Sequence, residues 1–215
     1  MSKSSFSYLI SLLLVFILIV PGFGQTRVGK LGIGVDGSMQ YVFGAGSVTT
    51  TPAIGYGLNM SYSILNGLSL RSKVGINELS WTNSLKQSST TDIMSLNLYL
   101  SIDLMPNSSF NIFLLGGGGT AFYDPKKEDG TRAIGVTSFD IHYMGGLGAD
   151  IFPNEFWSIT LMGEYVLTGS KYYNGPVNPD KDSFLRGSIQ FRYYFFDESF
   201  ITKLFEAQHE RSKHK

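Results

Sequence analysis

Hydrophobic and polar residues alternate singly along most of this chain. Across residues 53–64 (AIGYGLNMSYSI), Ile54, Tyr56, Leu58, Met60, Tyr62 and Ile64 occupy the even positions, and Ala53, Gly55, Gly57, Asn59, Ser61 and Ser63 the odd ones. A two-residue period places the two sets on opposite faces of a strand. The period returns around residues 31–43, 68–77, 94–104, 139–151, 157–167 and 185–195, each time setting large apolar side chains against Gly, Ser, Asn, Thr and a few charges. Residues 110–123 form a less regular segment, with apolar residues in both phases. Eight strands are predicted, with no helix between them.

The connections alternate in length. Asn66-Gly67 is the pair that tight hairpins favour, and residues 106–109 (PNSS) and 153–155 (PNE) are equally short turn chemistry. Between them stand longer polar links at residues 44–52, 82–90, 124–135 and 169–182. Alternating long and short connections is the plan of an outer-membrane barrel with short periplasmic turns and longer outer loops. An even strand number then leaves both termini periplasmic. A soluble lipocalin-like barrel shares the period with its apolar phase inside. Here that phase holds more large side chains than the narrow interior of an eight-stranded barrel accepts, and the other phase lacks the Lys and Glu of a wet exterior. Aromatic residues also gather at both strand ends: Tyr62, Phe110, Trp157, Phe191, Tyr193 and Phe195 near the short turns, Tyr41, Phe43, Phe122, Phe139, Tyr143 and Tyr165 near the long loops. Two girdles mark two membrane interfaces. The expected fold is therefore all-β: a closed, eight-stranded, antiparallel, up-and-down transmembrane β-barrel with its apolar phase toward lipid.

Composition sharpens this picture. Charged residues make up 16% of the 215, against about 25% in ordinary soluble domains. Lys+Arg and Asp+Glu balance at 17 each, which gives no reason to expect nucleic acid as a partner. The absence of Cys excludes disulfides, thiolate metal sites, a cysteine nucleophile and an acylated lipoprotein Cys. At the N-terminus, Lys3, the apolar run of residues 8–20 and the small residues of Pro21-Gly22-Phe23-Gly24 read as a signal peptide over residues 1–24. The barrel is expected over residues 25–196. A periplasmic tail follows at residues 197–215, where Phe200, Ile201, Leu204 and Phe205 would share one face of a short amphipathic helix.

Over residues 27–196 the chain resembles the small outer-membrane barrels of the OmpA and OmpX type, and its last strand, GSIQFRYYFF, is similar to their aromatic-ended assembly signal. The resemblance implies location in the outer membrane. It also implies contact with outer-membrane lipid and lipopolysaccharide, and handling by the barrel assembly machinery. Here the aromatic strand is followed by further residues, so the signal would be internal.

Several motifs carry candidate chemistry. Residues 32–37 (GIGVDG) match a dinucleotide-binding glycine pattern, but that site needs a helix after the glycines, and here the alternation continues. No helix-opening Lys-Ser/Thr follows Gly116 to Gly119 either, so those glycines read as a bend. No cofactor or metal site is predicted. In lipid A deacylases of similar architecture a His-x-Ser element acts, but His142-Tyr143-Met144 carries Met in the nucleophile's place, and a non-enzymatic barrel is expected. The inward charges are more informative. Asp36, Arg71, Lys73, Glu164, Arg192, Arg186 and Asp140 are expected to form a lumen charge network, because an unpartnered ion there would cost several kcal/mol. A network of that kind closes the lumen; the alternatives are a narrow pore or conduit for small solutes or apolar molecules and, third, a lipid-modifying enzyme. In the last long link, Tyr172 and Tyr173 are candidate surface-loop contacts for a surface partner, with anchoring at the membrane interface as the plainer role.

Overall fold

A computed structural model describes residues 27–43, 49–82, 88–126, 129, 131, 138–171, 173 and 181–196. The expected signal peptide, the C-terminal tail and Tyr172 lie outside these residues. Among the described residues nine strands form: β1 (Leu31–Phe43), β2 (Thr49–Thr51), β3 (Ala53–Leu65), β4 (Leu68–Thr82), β5 (Ser88–Asp103), β6 (Phe110–Pro125), β7 (Phe139–Ile151), β8 (Trp157–Thr168) and β9 (Ser183–Phe196). All except β2 form an antiparallel ring in chain order, which closes where β1 pairs with β9.

The short strand β2 departs from the expected long connection over residues 44–52. Thr49 to Thr51 pair with Thr82 to Ser80, continuing the ladder that β3 makes with β4. Pro52 separates β2 from β3, since proline has no N–H to give a ladder. The link expected at residues 82–90 is also shortened, because β4 and β5 remain paired as far as Thr82 and Ser88.

Each short turn is built by local chemistry. Gly67 takes a φ of +91°, which suits the Asn66-Gly67 hairpin. Asn111 accepts the Met105 N–H at 3.0 Å, and Asn154 accepts the N–H groups of Phe156 and Trp157, both at 3.0 Å. A polar side chain so placed fixes a tight reversal by replacing backbone partners.

The alternation sorts inside from outside as the sequence predicts. Leu58, Leu98, Leu147 and Leu161 face outward in mid-strand, while their neighbours Asn59, Asn97, Gly148 and Thr160 are buried in the lumen. So broad an apolar exterior suits a bilayer, not water. Aromatic contacts mark its two ends. Tyr193 packs against Trp157 at 4.9 Å and Phe195 at 4.7 Å near the short turns, and Phe122 against Phe139 at 5.2 Å near the long connections. The dinucleotide-like glycines lie within β1, and Gly116 to Gly119 within β6. Inward glycines stand where the neighbouring strand leaves no room for a side chain: a Cβ on Gly117 would fall 2.1 Å from the Leu98 carbonyl oxygen, and one on Gly146 2.2 Å from that of Gly163.

Candidate functional site: the lumen

Side chains projecting inward from all eight ring strands fill the lumen, and they fall into three levels. Nearest the short turns, Asp150 of β7 is the hub. Its Oδ2 receives Arg71 at 2.7 Å, its Oδ1 lies 3.7 Å from Arg192, and Thr160 donates a hydrogen bond to it. Arg71 also reaches Asp103 at 3.4 Å and Ser101 at 3.0 Å, and its guanidinium lies over the Phe113 ring at 3.7 Å. Arg192 donates to Asn59 at 2.7 Å, to Tyr194 at 3.3 Å and to Gln190. Below this level Arg27, just before β1, lies across the mouth: it stacks on Phe152 at 3.4 Å and donates to the Ser108 carbonyl. Burial lowers its pKa from the ordinary guanidinium value.

One level up stand two further ion pairs, Lys73 with Asp36 and Arg186 with Glu164. Arg186 also donates to the Tyr99 hydroxyl at 3.0 Å. Strand pairing explains these meetings. Glu164 and Arg186 are direct cross-strand partners, whereas Lys73 and Asp36 come from β4 and β1, on either side of β3, where Gly57 leaves room for them to meet. Arg71, Lys73, Arg186 and Arg192 are 6%, 2%, 2% and 1% exposed. Cations so enclosed are tolerable only when paired.

The third level, toward the long connections, is mostly apolar. Leu79, Ile93, Ala121, Tyr123, Val166 and Phe184 line it. Tyr173 enters this level from the last connection, stacked on Tyr123 at 4.7 Å and tilted against Phe184 at 6.2 Å. Its N–H donates to Asp182 at 2.8 Å, which ties the two stems of that connection together. Burial pushes the Tyr173 phenol pKa well above its ordinary value.

Two sequence expectations need correction here. Tyr173 is 1% exposed, so it is a lumen side chain and not a surface contact. A stacking slot formed by strands distant in sequence buries the ring, and the polarity of its own loop does not reveal that slot. Asp140 stands apart from the two ion-pair levels: at the third level its carboxylate accepts the Gly169 N–H at 3.1 Å and neighbours Tyr173. The remaining six charges separate into Arg71 and Arg192 on Asp150, and the quartet Asp36, Lys73, Glu164 and Arg186. Among residues outside the expected network, Asp150, Asp103, Tyr99 and Arg27 all contribute contacts. The first three are inward by phase, and only their pairing was hidden.

His142 is buried, with Nε2 2.6 Å from Asn97 Oδ1. Met144, the next inward residue, offers no nucleophile. Among the described residues no cluster of three or more His, Cys, Asp or Glu side chains is arranged to hold a metal ion.

No family model and no curated sequence matches the chain. Solved structures do. Ail, the attachment invasion locus protein of Yersinia pestis, superposes with a TM-score of 0.54 at 15% identity, covering 78% of this chain and 99% of Ail. OprG of Pseudomonas aeruginosa gives 0.53 at 15% identity over 81% and 100%. Neisserial surface protein A gives 0.54 at 15% identity over 77% and 97%. With its ring closed by β1 and β9 and its apolar face outward, the chain has the fold of the small eight-stranded outer-membrane β-barrels.

Proposed function

We propose that this protein is a non-enzymatic outer-membrane barrel with a structural or surface-interaction role, its long connections outside the cell and both termini periplasmic. The observation that carries this reading is the pair of ion-pair levels across the lumen, centred on Asp150 and on the Arg186–Glu164 and Lys73–Asp36 pairs. Stacked paired charges in an eight-stranded barrel leave no continuous aqueous path. The sealed His142–Asn97 contact supports the non-enzymatic reading. Function then resides on the connections that the rigid wall holds outward. Outer-membrane lipid and lipopolysaccharide surround the wall, and the assembly machinery and a surface or periplasmic protein complete the proposed partners. Planar-bilayer recording of the refolded protein tests the closed lumen: a flat baseline is expected, and stepwise unitary currents from the wild type would overturn it.

One observation favours a second reading, a conduit for small apolar molecules. The third level of the lumen is apolar behind Tyr173. Vesicle uptake of a small hydrocarbon that rises on Tyr173→Ala and exceeds that of empty vesicles would move the assignment to that reading.

A further inference from the structure

Two hollows indent the outer surface of the barrel near the rim that bears the long connections, and they differ in charge. The first, of about 480 Å³, lies over β7 and β8: Ile141, Tyr143, Tyr165 and Leu167 wall it, with Lys181 and Ser183 at its head. Asp182 borders it too, but that side chain is buried and its carboxylate accepts the Tyr173 N–H. Lys181 is exposed and sets the sign of the entrance.

Beneath this hollow, glycines take single outward positions on four neighbouring strands, β6 to β9. Gly145 pairs with Tyr165 on one side and Gly116 on the other, and Gly163 pairs with Gly187. A Cβ placed on Gly116, Gly163 or Gly187 would meet no atom within 4 Å, so the glycines leave an open furrow. Leucines and aromatics stand to either side of it on the same exterior.

The second hollow, of about 410 Å³, has the same apolar flooring in Ile76, Met94 and Phe122, but its head is acidic, with Asp92 and Asp124. Glu78 faces Asp92 on the neighbouring strand, and Lys126 bridges to Asp92 at 2.5 Å. The two apolar hollows at this rim thus differ in the charge at their heads, Lys181 at one and Asp92 (paired with Lys126) and Asp124 at the other.

We propose that the β7–β8 hollow and the furrow below it seat one phosphorylated glycolipid of the outer leaflet, its phosphate at Lys181 and an acyl chain along Gly145 and Gly163. Three features fit this occupant together. The hollow opens on the lipid-facing wall, its cation lies at the aromatic girdle where headgroups begin, and the glycine furrow below offers an apolar path bordered by Tyr165 and Leu147. The acid-rimmed hollow would repel the same headgroup. The inference rests on the outward orientation of the long connections proposed above.

The test is native mass spectrometry of the refolded full chain in detergent micelles, titrated with bis-phosphorylated lipid A or its dephosphorylated form. Wild type is expected to retain one phosphorylated lipid in preference to the dephosphorylated one. Lys181→Ala should weaken retention ~5-fold, the effect of one juxtamembrane charge. Gly163→Leu, which fills the furrow in open space, should weaken it while leaving heat-resistant migration on gels unchanged. Equal retention by all three proteins, or no preference for the phosphorylated form, would overturn the site. A lipid-independent dimer that Gly163→Leu dissociates would also overturn it, by making the furrow a contact between copies. Micelle binding does not depend on whether the lumen conducts, so failure here is separable from failure of the closed-lumen reading.

Discussion

Replacing Arg186 by Met tests the energetics of the lumen most directly. The guanidinium pairs with Glu164, donates to Tyr99 at 3.0 Å, and lies 3.8 Å from the Met144 sulfur, with 2% of the residue exposed. Methionine keeps much of the aliphatic stem and removes the charge. Glu164 is then left buried with a less direct cation, Lys73, which already serves Asp36. Breaking one side of a buried pair costs about 3–5 kcal/mol. Lys73 offsets part of the loss, so about 3 kcal/mol is the expected change for Arg186→Met. Converting the pair to apolar residues, Arg186→Met with Glu164→Leu, leaves no orphaned ion and should return to within about 1 kcal/mol of wild type. The coupling between the two sites should then exceed about 2 kcal/mol. Urea unfolding in lipid vesicles, followed by tryptophan fluorescence and by gel mobility without boiling, measures all three variants against wild type. Unfolding of Arg186→Met at the wild-type urea concentration would refute the reasoning, and so would a double variant that loses the sum of the two single losses. Either result would mean that water solvates Glu164 and that the lumen is wetter than its packing indicates.

Two other expectations follow from the same architecture. Leu161→Arg, at an outward position 46% exposed, should lower stability in vesicles by about 2–4 kcal/mol, whereas Arg at a loop position such as Thr131 should be neutral; equal tolerance in the same urea assay would invert the inside–outside assignment. Burial holds the Tyr173 phenol above its ordinary pKa, so the unfolded chain ionises it first. Its stabilising contribution is complete below about pH 10 and declines as pH rises beyond that value, toward the folded pKa. Tyr173→Phe should flatten this alkaline decline in melting temperature, and an unchanged slope would mean that the ring is not buried in the membrane-inserted protein.

The wall of this barrel is legible in the sequence because its period is local. Ile54, Tyr56, Leu58 and Met60 state their face without reference to any other strand, and the ladder of β3 with β1 and β4 follows from it. The contents of the lumen are only half legible. Phase identifies Asp150 and Asp103 as inward, but which cation meets them depends on the stagger of strands around the ring. Arg71 on β4 meets Asp150 on β7 across the lumen, a contact with no sequence spacing to announce it. Asp140 shares their phase and still belongs to another level, because its strand carries it toward the long connections, where Gly169 offers an N–H. Tyr173 was hidden most completely. Its neighbours Lys171, Asn174 and Gly175 are those of a polar loop, while its slot is made by Tyr123 on β6 and Phe184 on β9. Pro52 and the strand before it were masked by a composition, Ser-Val-Thr-Thr-Thr-Pro, that suits a loop and a strand equally.

The seam between β1 and β9 has a consequence for the life history of the chain. Leu31 finds its partner in Phe196, so the first ladder strand waits for the last. Until β9 arrives, β1 and β8 each present a row of unpaired N–H and C=O groups, which a bilayer core tolerates poorly. Every other neighbouring pair can form from nearby sequence, whereas this one joins the two ends of the folded region and carries the slow step of a long closure. A ribosome stalled before residue 183 would release a sheet with two raw edges and a lumen whose Glu164 lacks Arg186 and whose Asp150 lacks Arg192. Sealing the wall and neutralising its interior are therefore completed together, by the same fourteen residues of β9.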